Sequence, residues 1–169
     1  ENPGIYNISV RAKDVNQIES NWSDYLTINI SQTDDYYFDN SDSNFFKIFG
    51  RWKNYNYVNS YNGNLRYIQN GIGVGSVGWR VSNTVPQGSY EVYVWKFEHP
   101  FQSQTATNAK YSVTDVNGTV GWFEVNQSSP GNEWILLGNY YFDNSSPQGV
   151  TLNDDADGIV IADAIKLVA

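Results

Sequence analysis

Sugar rings bind proteins through their C–H faces, which stack on indole and phenol rings while nearby amides and carboxylates take the hydroxyls. The side chains here that suit this chemistry are Trp52, Tyr55 and Tyr57 in an Asn-rich stretch, Trp95, Phe97 and His99 at the end of a strand-like segment, and Trp122. Each has a packing alternative, because buried rings outnumber rings that meet a ligand. Cation binding by hard oxygens is a second chemistry. Asp39 and Asp42 lie in one polar turn, and Asp154, Asp155 and Asp157 in another that ends at Gly158. Neither run carries the Glu that closes a twelve-residue calcium loop, so both also read as plain turns. A structural Ca²⁺ is the one cofactor to be considered.

Catalysis has little to stand on. His99 is the only histidine, and no Gly-x-Ser-x-Gly nucleophile turn accompanies it. The glycines at 71, 73, 75 and 78 lack the Lys-Ser/Thr ending of a phosphate loop. Asp163 is of another kind. It shares a strand face with Ile159, Ile161, Ile165 and Leu167. A carboxylate on a core face must be paired, protonated or bound to metal. Arg51, Arg66, Arg80, backbone N–H groups or Ca²⁺ are its candidate partners, and the expected role is structural.

The elements that must position these residues are strands. Aromatics make up 16% of the chain, turn formers are plentiful, and no stretch keeps a helical period. Residues 86–100 give the best pattern: Tyr90, Val92 and Val94 on a core face, Glu91, Tyr93, Trp95 and Phe97 on the other. Residues 132–142 are apolar on both faces, as a central strand is, and residues 159–168 read as one final strand. Residues 52–61 have no regular period and read as a long loop. Strands at this spacing with no helices between them imply an all-β fold, a sandwich or jelly roll.

The net charge of −8 argues against nucleic acid and against an anionic membrane surface, and no apolar run is long enough to insert in a membrane. The absence of cysteine removes disulfides and thiolate sites. N-x-Ser/Thr sequons stand at Asn7, Asn21, Asn29, Asn117, Asn126 and Asn144.

Two resemblances extend this reading. Residues 4–12 and 26–30 alternate as a hairpin joined by a polar connection, and residues 4–14, 19–24 and 26–30 resemble the last two strands of an Ig-like or PKD-like surface module. This sets a segment 1–32 apart from a domain 33–169. In the domain, Gly88-Ser-Tyr-Glu-Val-Tyr-Val-Trp95 follows Trp79. Tyr111-Ser-Val-Thr-Asp-Val-Asn-Gly-Thr119 leads to Val125-Asn-Gln127, and Trp134-Ile-Leu-Leu-Gly138 precedes Val150-Thr-Leu-Asn153. With Gly158-Ile-Val-Ile-Ala-Asp-Ala-Ile165, these stretches resemble the golvesin/xanthan-lyase carbohydrate-binding-like domain over residues 35–168. The resemblances together imply an all-β chain, a jelly-roll-like β-sandwich preceded by an Ig-like hairpin, with Trp79 and Trp134 in the core: a module of surface or secreted proteins, without catalysis, that recognises a glycan or cell-surface polymer. The alternative expectation is a structural subunit of an extracellular filament or layer, whose hairpin completes the sheet of a neighbouring copy.

Overall fold

The computed structural model describes residues 4–30, 34–98, 102–145 and 147–169. The chain divides into two units, Glu1–Asp34 and Asp35–Ala169. In the first, β1 (Gly4–Ile8) pairs antiparallel with β2 (Leu26–Ile30), from Gly4↔Ile30 to Ile8↔Leu26. Alternation predicts a strand running on to Ala12, but the ladder stops at Ile8. Beyond it the Ser23 and Ser20 hydroxyls accept from the Val10 and Ala12 N–H groups, in place of backbone carbonyls. Ile8, Val10 and Leu26 are exposed.

The second unit is a β-sandwich. One layer has β4 (Phe45–Phe49), β7 (Ser76–Arg80), β9 (Ala109–Asp115), β10 (Gly118–Val125) and β12 (Gly149–Asn153), in the order β10-β9-β12-β7-β4. The other has β3 (Asp35–Asp39), β8 (Gly88–Lys96), β11 (Glu133–Phe142) and β14 (Ala164–Val168), in the order β11-β8-β14-β3. Between them Val77, Trp79, Tyr111, Val113 and Leu152 meet Tyr90, Val92, Val94, Ile165 and Leu167 in one core. The core face expected from the alternation in residues 86–100 is therefore the core face observed. A three-stranded sheet, β13-β6-β5, adds β5 (Lys53–Asn56), β6 (Asn64–Ile68) and β13 (Val160–Ala162) around Leu65, Phe97 and Ile161.

Three expectations are corrected. Residues 53–56 form a strand, not a loop. β5 pairs only with β6, so its polar residues are those of a solvated edge and show no alternation. β11 is an edge strand although it reads as central. Its register slips between Leu136 and Gly138, where Gly138 has φ +150°, and the slip moves the apolar set from one face to the other. Residues 159–168 form two strands in different sheets, separated by Asp163 alone.

Candidate functional site

The outer face of the four-stranded layer carries the aromatic residues. Register sets Trp134 opposite Trp95, Tyr93 opposite Leu136 on one side and Lys166 on the other, and Lys166 opposite Tyr37. The Trp95 and Trp134 rings meet edge to face at 5.0 Å, and Tyr37 tilts against Trp134 at 5.9 Å. Tyr61, in the 3-10 turn Tyr61–Gly63, stacks on Tyr37 at 6.0 Å and 9° and touches Trp134 and Trp95 at 5.5 and 6.2 Å. Earlier on the same connection, Tyr57 packs on Phe97 at 5.4 Å and stacks with Tyr55 at 6.1 Å. Tyr57 and Tyr61 of the 52–61 stretch thus adjoin Phe97 and Trp95 at the end of β8. A cavity of about 260 Å³ lined by Tyr55, Tyr67, Leu65, Gln69 and Ile161 opens beside Tyr55.

Polar groups border the rings. The Lys166 ammonium lies 4.6 Å from the Tyr93 ring centre and 5.4 Å from that of Trp134. The Tyr93 hydroxyl donates to Glu91 Oε2 at 2.6 Å, and that of Tyr37 to Asp35 Oδ2 at 3.0 Å. Each carboxylate holds its phenol proton and raises that phenol's pKa. Tyr37 is 45% exposed, while Trp95 and Trp134 are half-buried. The arrangement offers flat ring faces with a cation and carboxylates at its border.

Not every expected residue reaches this surface. Trp52 is 9% exposed and packs in the main core, so it has no face to offer a ligand. Phe97 is 3% exposed and supports Tyr57 from below. His99 lies outside the described residues. Trp122 is exposed but sits on β10, at the edge of the other layer, where the register is irregular between Val120 and Phe123. Trp79 is core as expected, whereas Trp134 is not: it belongs to the outer face. Tyr37, Trp134 and Lys166 were missed because strand register, which brings them together, leaves no mark in local sequence.

In the acidic turns each carboxylate has a partner within the protein. Asp155 pairs with Lys110 at 2.6 Å, and Asp157 accepts from the Thr107 N–H at 2.7 Å and from its hydroxyl. Asp154 Oδ1 accepts from the Gly73 N–H at 2.8 Å, while its backbone bonds Gly71 and Gly75. The three carboxylates thus serve three separate partners, and the glycine-spaced segment is a cradle for Asp154 and not a free turn. Asp42 Oδ2 accepts from the Asp39 N–H at 2.7 Å. Among the described residues no three acidic, His or Cys side chains gather as a metal group.

Asp163 is 2% exposed, as its place on a core face implies. Its Oδ2 accepts from the Tyr61 N–H at 3.1 Å. The expected arginines are not its partners: Arg66 lies over the Phe45 ring and Arg80 over that of Phe46, and Arg51 is exposed. Burial, with the Asp39 charge adding to it, pushes the Asp163 carboxyl up to about 8.

Among the sequons, Asn7, Asn21, Asn117 and Asn126 are exposed, and the Asn29 side chain lies outside the described residues. Asn144 is different. Its amide donates to the Val85 carbonyl and accepts from the Asn83 N–H, so that nitrogen is engaged inside the fold.

Comparison with known proteins places the fold. Over 137 residues the chain is 36% identical to a xanthan lyase of Bacillus sp. (strain GL1), covering 78% of this chain and 14% of the lyase. It is 29% identical over 114 residues to golvesin of Dictyostelium discoideum, covering 65% of this chain and 19% of golvesin. The solved structure of a Paenibacillus xanthan lyase superposes with a TM-score of 0.71 at 30% identity, over 87% of this chain and 14% of that one. The chain thus spans less than a fifth of the length of these relatives. The sequence model of the Golvesin C-terminal domain matches residues 36–169, and the chain belongs to that family.

Proposed function

We propose that the second unit is a non-catalytic carbohydrate-recognition module of a surface or secreted protein, with the outer face of the four-stranded layer as its binding surface. The observation that carries this reading is the ring array Tyr37–Tyr61–Trp95–Trp134 bordered by Lys166, Glu91 and Asp35. Rings held by cross-strand packing are preorganised, so little side-chain entropy is lost when a sugar stacks on them. Similarity to a protein named for a lyase acting on xanthan supports a polysaccharide as ligand. The shared part is 14% of that protein, and it is the module alone that is inferred here.

A glycan array and calorimetry with xanthan test the reading. Tyr37→Ala and Trp134→Ala should each weaken binding at least about tenfold, the loss of one well-packed contact. Trp122→Ala should leave it unchanged. Absence of binding to every glycan, or loss through Trp122 alone, would refute the proposal.

A second reading rests on the hairpin. Two strands alone are marginal in water, and β1–β2 exposes Ile8 and Leu26. This supports the hairpin as the end of an Ig-like or PKD-like module, or as strands donated to a neighbouring copy. Sizing at rising concentration with Leu26→Lys separates these. A self-association lost in the variant supports donation, and a monomer throughout rejects it.

A further inference from the structure

Where β3 ends and the chain crosses from β13 to β14, three oxygens lack any hydrogen-bond partner: Asp39 Oδ2, Asn40 Oδ1 and Asp163 Oδ1. Their residues are 1%, 1% and 2% exposed, so solvent does not serve them. Folding leaves a buried carboxylate oxygen without a donor only where something else compensates.

Each of the three side chains is anchored by one atom and has the other left over. Asp39 Oδ1 accepts from the Ser41 N–H and hydroxyl. The Asn40 amide nitrogen donates to Asn64 Oδ1 at 2.6 Å. Asp163 Oδ2 accepts from the Tyr61 N–H. The spare oxygens belong to one neighbourhood. Two of them are tied to one short turn, residues 61–64: Asn40, next in sequence to Asp39, donates to Asn64 Oδ1, and Asp163 accepts from the Tyr61 N–H. The charges of Asp39 and Asp163 also both reach the Tyr61 hydroxyl. Among the described residues, neither carboxylate has a salt-bridge partner.

We propose that Asp39, Asn40 and Asp163 bind a divalent cation, with the chemistry of calcium, at the end of β3 and the β13–β14 crossover. Two carboxylates balance a +2 charge, and the amide oxygen supplies a third hard ligand. With only two acidic residues the set is not an acidic cluster of the kind absent elsewhere among the described residues. Calcium takes six to eight oxygens in irregular geometry, so backbone carbonyls and water complete its shell. Magnesium demands a near-ideal octahedron and keeps its own water. The cation would pin Asp163, the single residue between two sheets, to the end of β3. The rival occupant is a proton shared by the two carboxylates.

The test uses the full chain stripped with EDTA. Calorimetry with CaCl₂ should show one site per chain. Calcium at about a hundred times its Kd should raise Tm by roughly 5–10 °C. Terbium should luminesce on excitation of tyrosine. Asp163→Asn and Asn40→Ala should each lower calcium affinity at least tenfold, while Asp154→Asn and Asp155→Asn leave it intact. The proposal is overturned by any of three results: no heat and no Tm change with calcium, affinity lost in Asp154→Asn but kept in Asp163→Asn, or a stability gain in Asp163→Asn equal with and without calcium. The last is the signature of the shared proton.

Discussion

Gln127 offers a sharp measure of how much one buried amide holds together. It is 5% exposed, and its side chain treats Ile161 as a neighbouring strand would. Oε1 accepts from the Ile161 N–H at 2.9 Å, and Nε2 donates to the Ile161 carbonyl at 2.7 Å and to the Tyr111 hydroxyl at 3.1 Å. β13 is an edge strand of its sheet, and this amide satisfies the side that β6 does not reach. Gln127→Leu keeps the volume and removes all three bonds. The Ile161 N–H is left stranded at about 1–3 kcal/mol, and two further bonds are lost at about 0.5–1.5 kcal/mol each, so the expected loss is roughly 2–6 kcal/mol. That is a large part of the roughly 5–15 kcal/mol that stabilises a domain. Urea unfolding followed by tryptophan fluorescence reads it directly. Tyr111→Phe, added to Gln127→Leu, should deepen the loss, because the Tyr111 hydroxyl still donates to the Ile161 carbonyl at 3.4 Å and its removal strands that carbonyl. Gln127→Glu should be more damaging at neutral pH, where the carboxylate faces the Ile161 carbonyl, than in acid, where it regains a donor. A loss below about 1 kcal/mol in Gln127→Leu would refute the claim that this amide stands in for a strand.

Further outcomes follow from other sites. Gly75→Ala should cost about 1–3 kcal/mol, because its Cβ would lie 2.5 Å from Asp154 Oδ2 and 2.7 Å from Ile68 Cδ1. Combined with Asp154→Ala, the penalty should be less than additive by urea titration. Asp143 and Asp157 have depressed pKa values, through Ser145 and Thr107 respectively. Their stabilisation is therefore present above the unfolded pKa of about 4 and is lost as pH falls through the lower folded values. Thr107→Val should remove the Asp157 share of that acid-side loss in pH-dependent melting, and an unchanged profile would reject the assignment. Mass spectrometry of glycosylated material should find no glycan on Asn144, whose amide nitrogen bonds Val85, in properly folded protein.

The strands with one wet and one dry face were the legible part of the sequence. Tyr90, Val92 and Val94 alternate with residues of another character, and each of them is core. The same rule failed where a sheet changed its habits. β11 looks central because its apolar residues switch faces at Gly138, and β5 looks like a loop because an edge strand can be polar throughout. Asp163 was legible as a buried carboxylate, but its surroundings were not, since Tyr61, 102 residues away in sequence, reaches it only through the fold. The same limit applies to the aromatic face. Trp95 and Tyr57 announce themselves as rings near polar residues. Nothing local tells that Tyr37, Trp134 and Lys166 come to lie beside them, or that Trp52 turns inward.

The β3–β14 ladder also has a mechanical meaning. Its outer rung, Asp35↔Val168, joins the first and last strands of the second unit, so the unit's entry and exit points are one rung apart, about 5 Å between Cα atoms. A tether attached at these two points would not load the sandwich in shear. It would open the edge strand β3 rung by rung from Asp35 towards Asp39, like a zipper, at low force. The unit would therefore hang as a pendant from whatever chain carries it, adding little to that chain's contour length while folded. Under tension it would yield first at Asp35↔Val168 and last beside Asn40 and Asp163, the point where a bound cation would hold the final rungs shut.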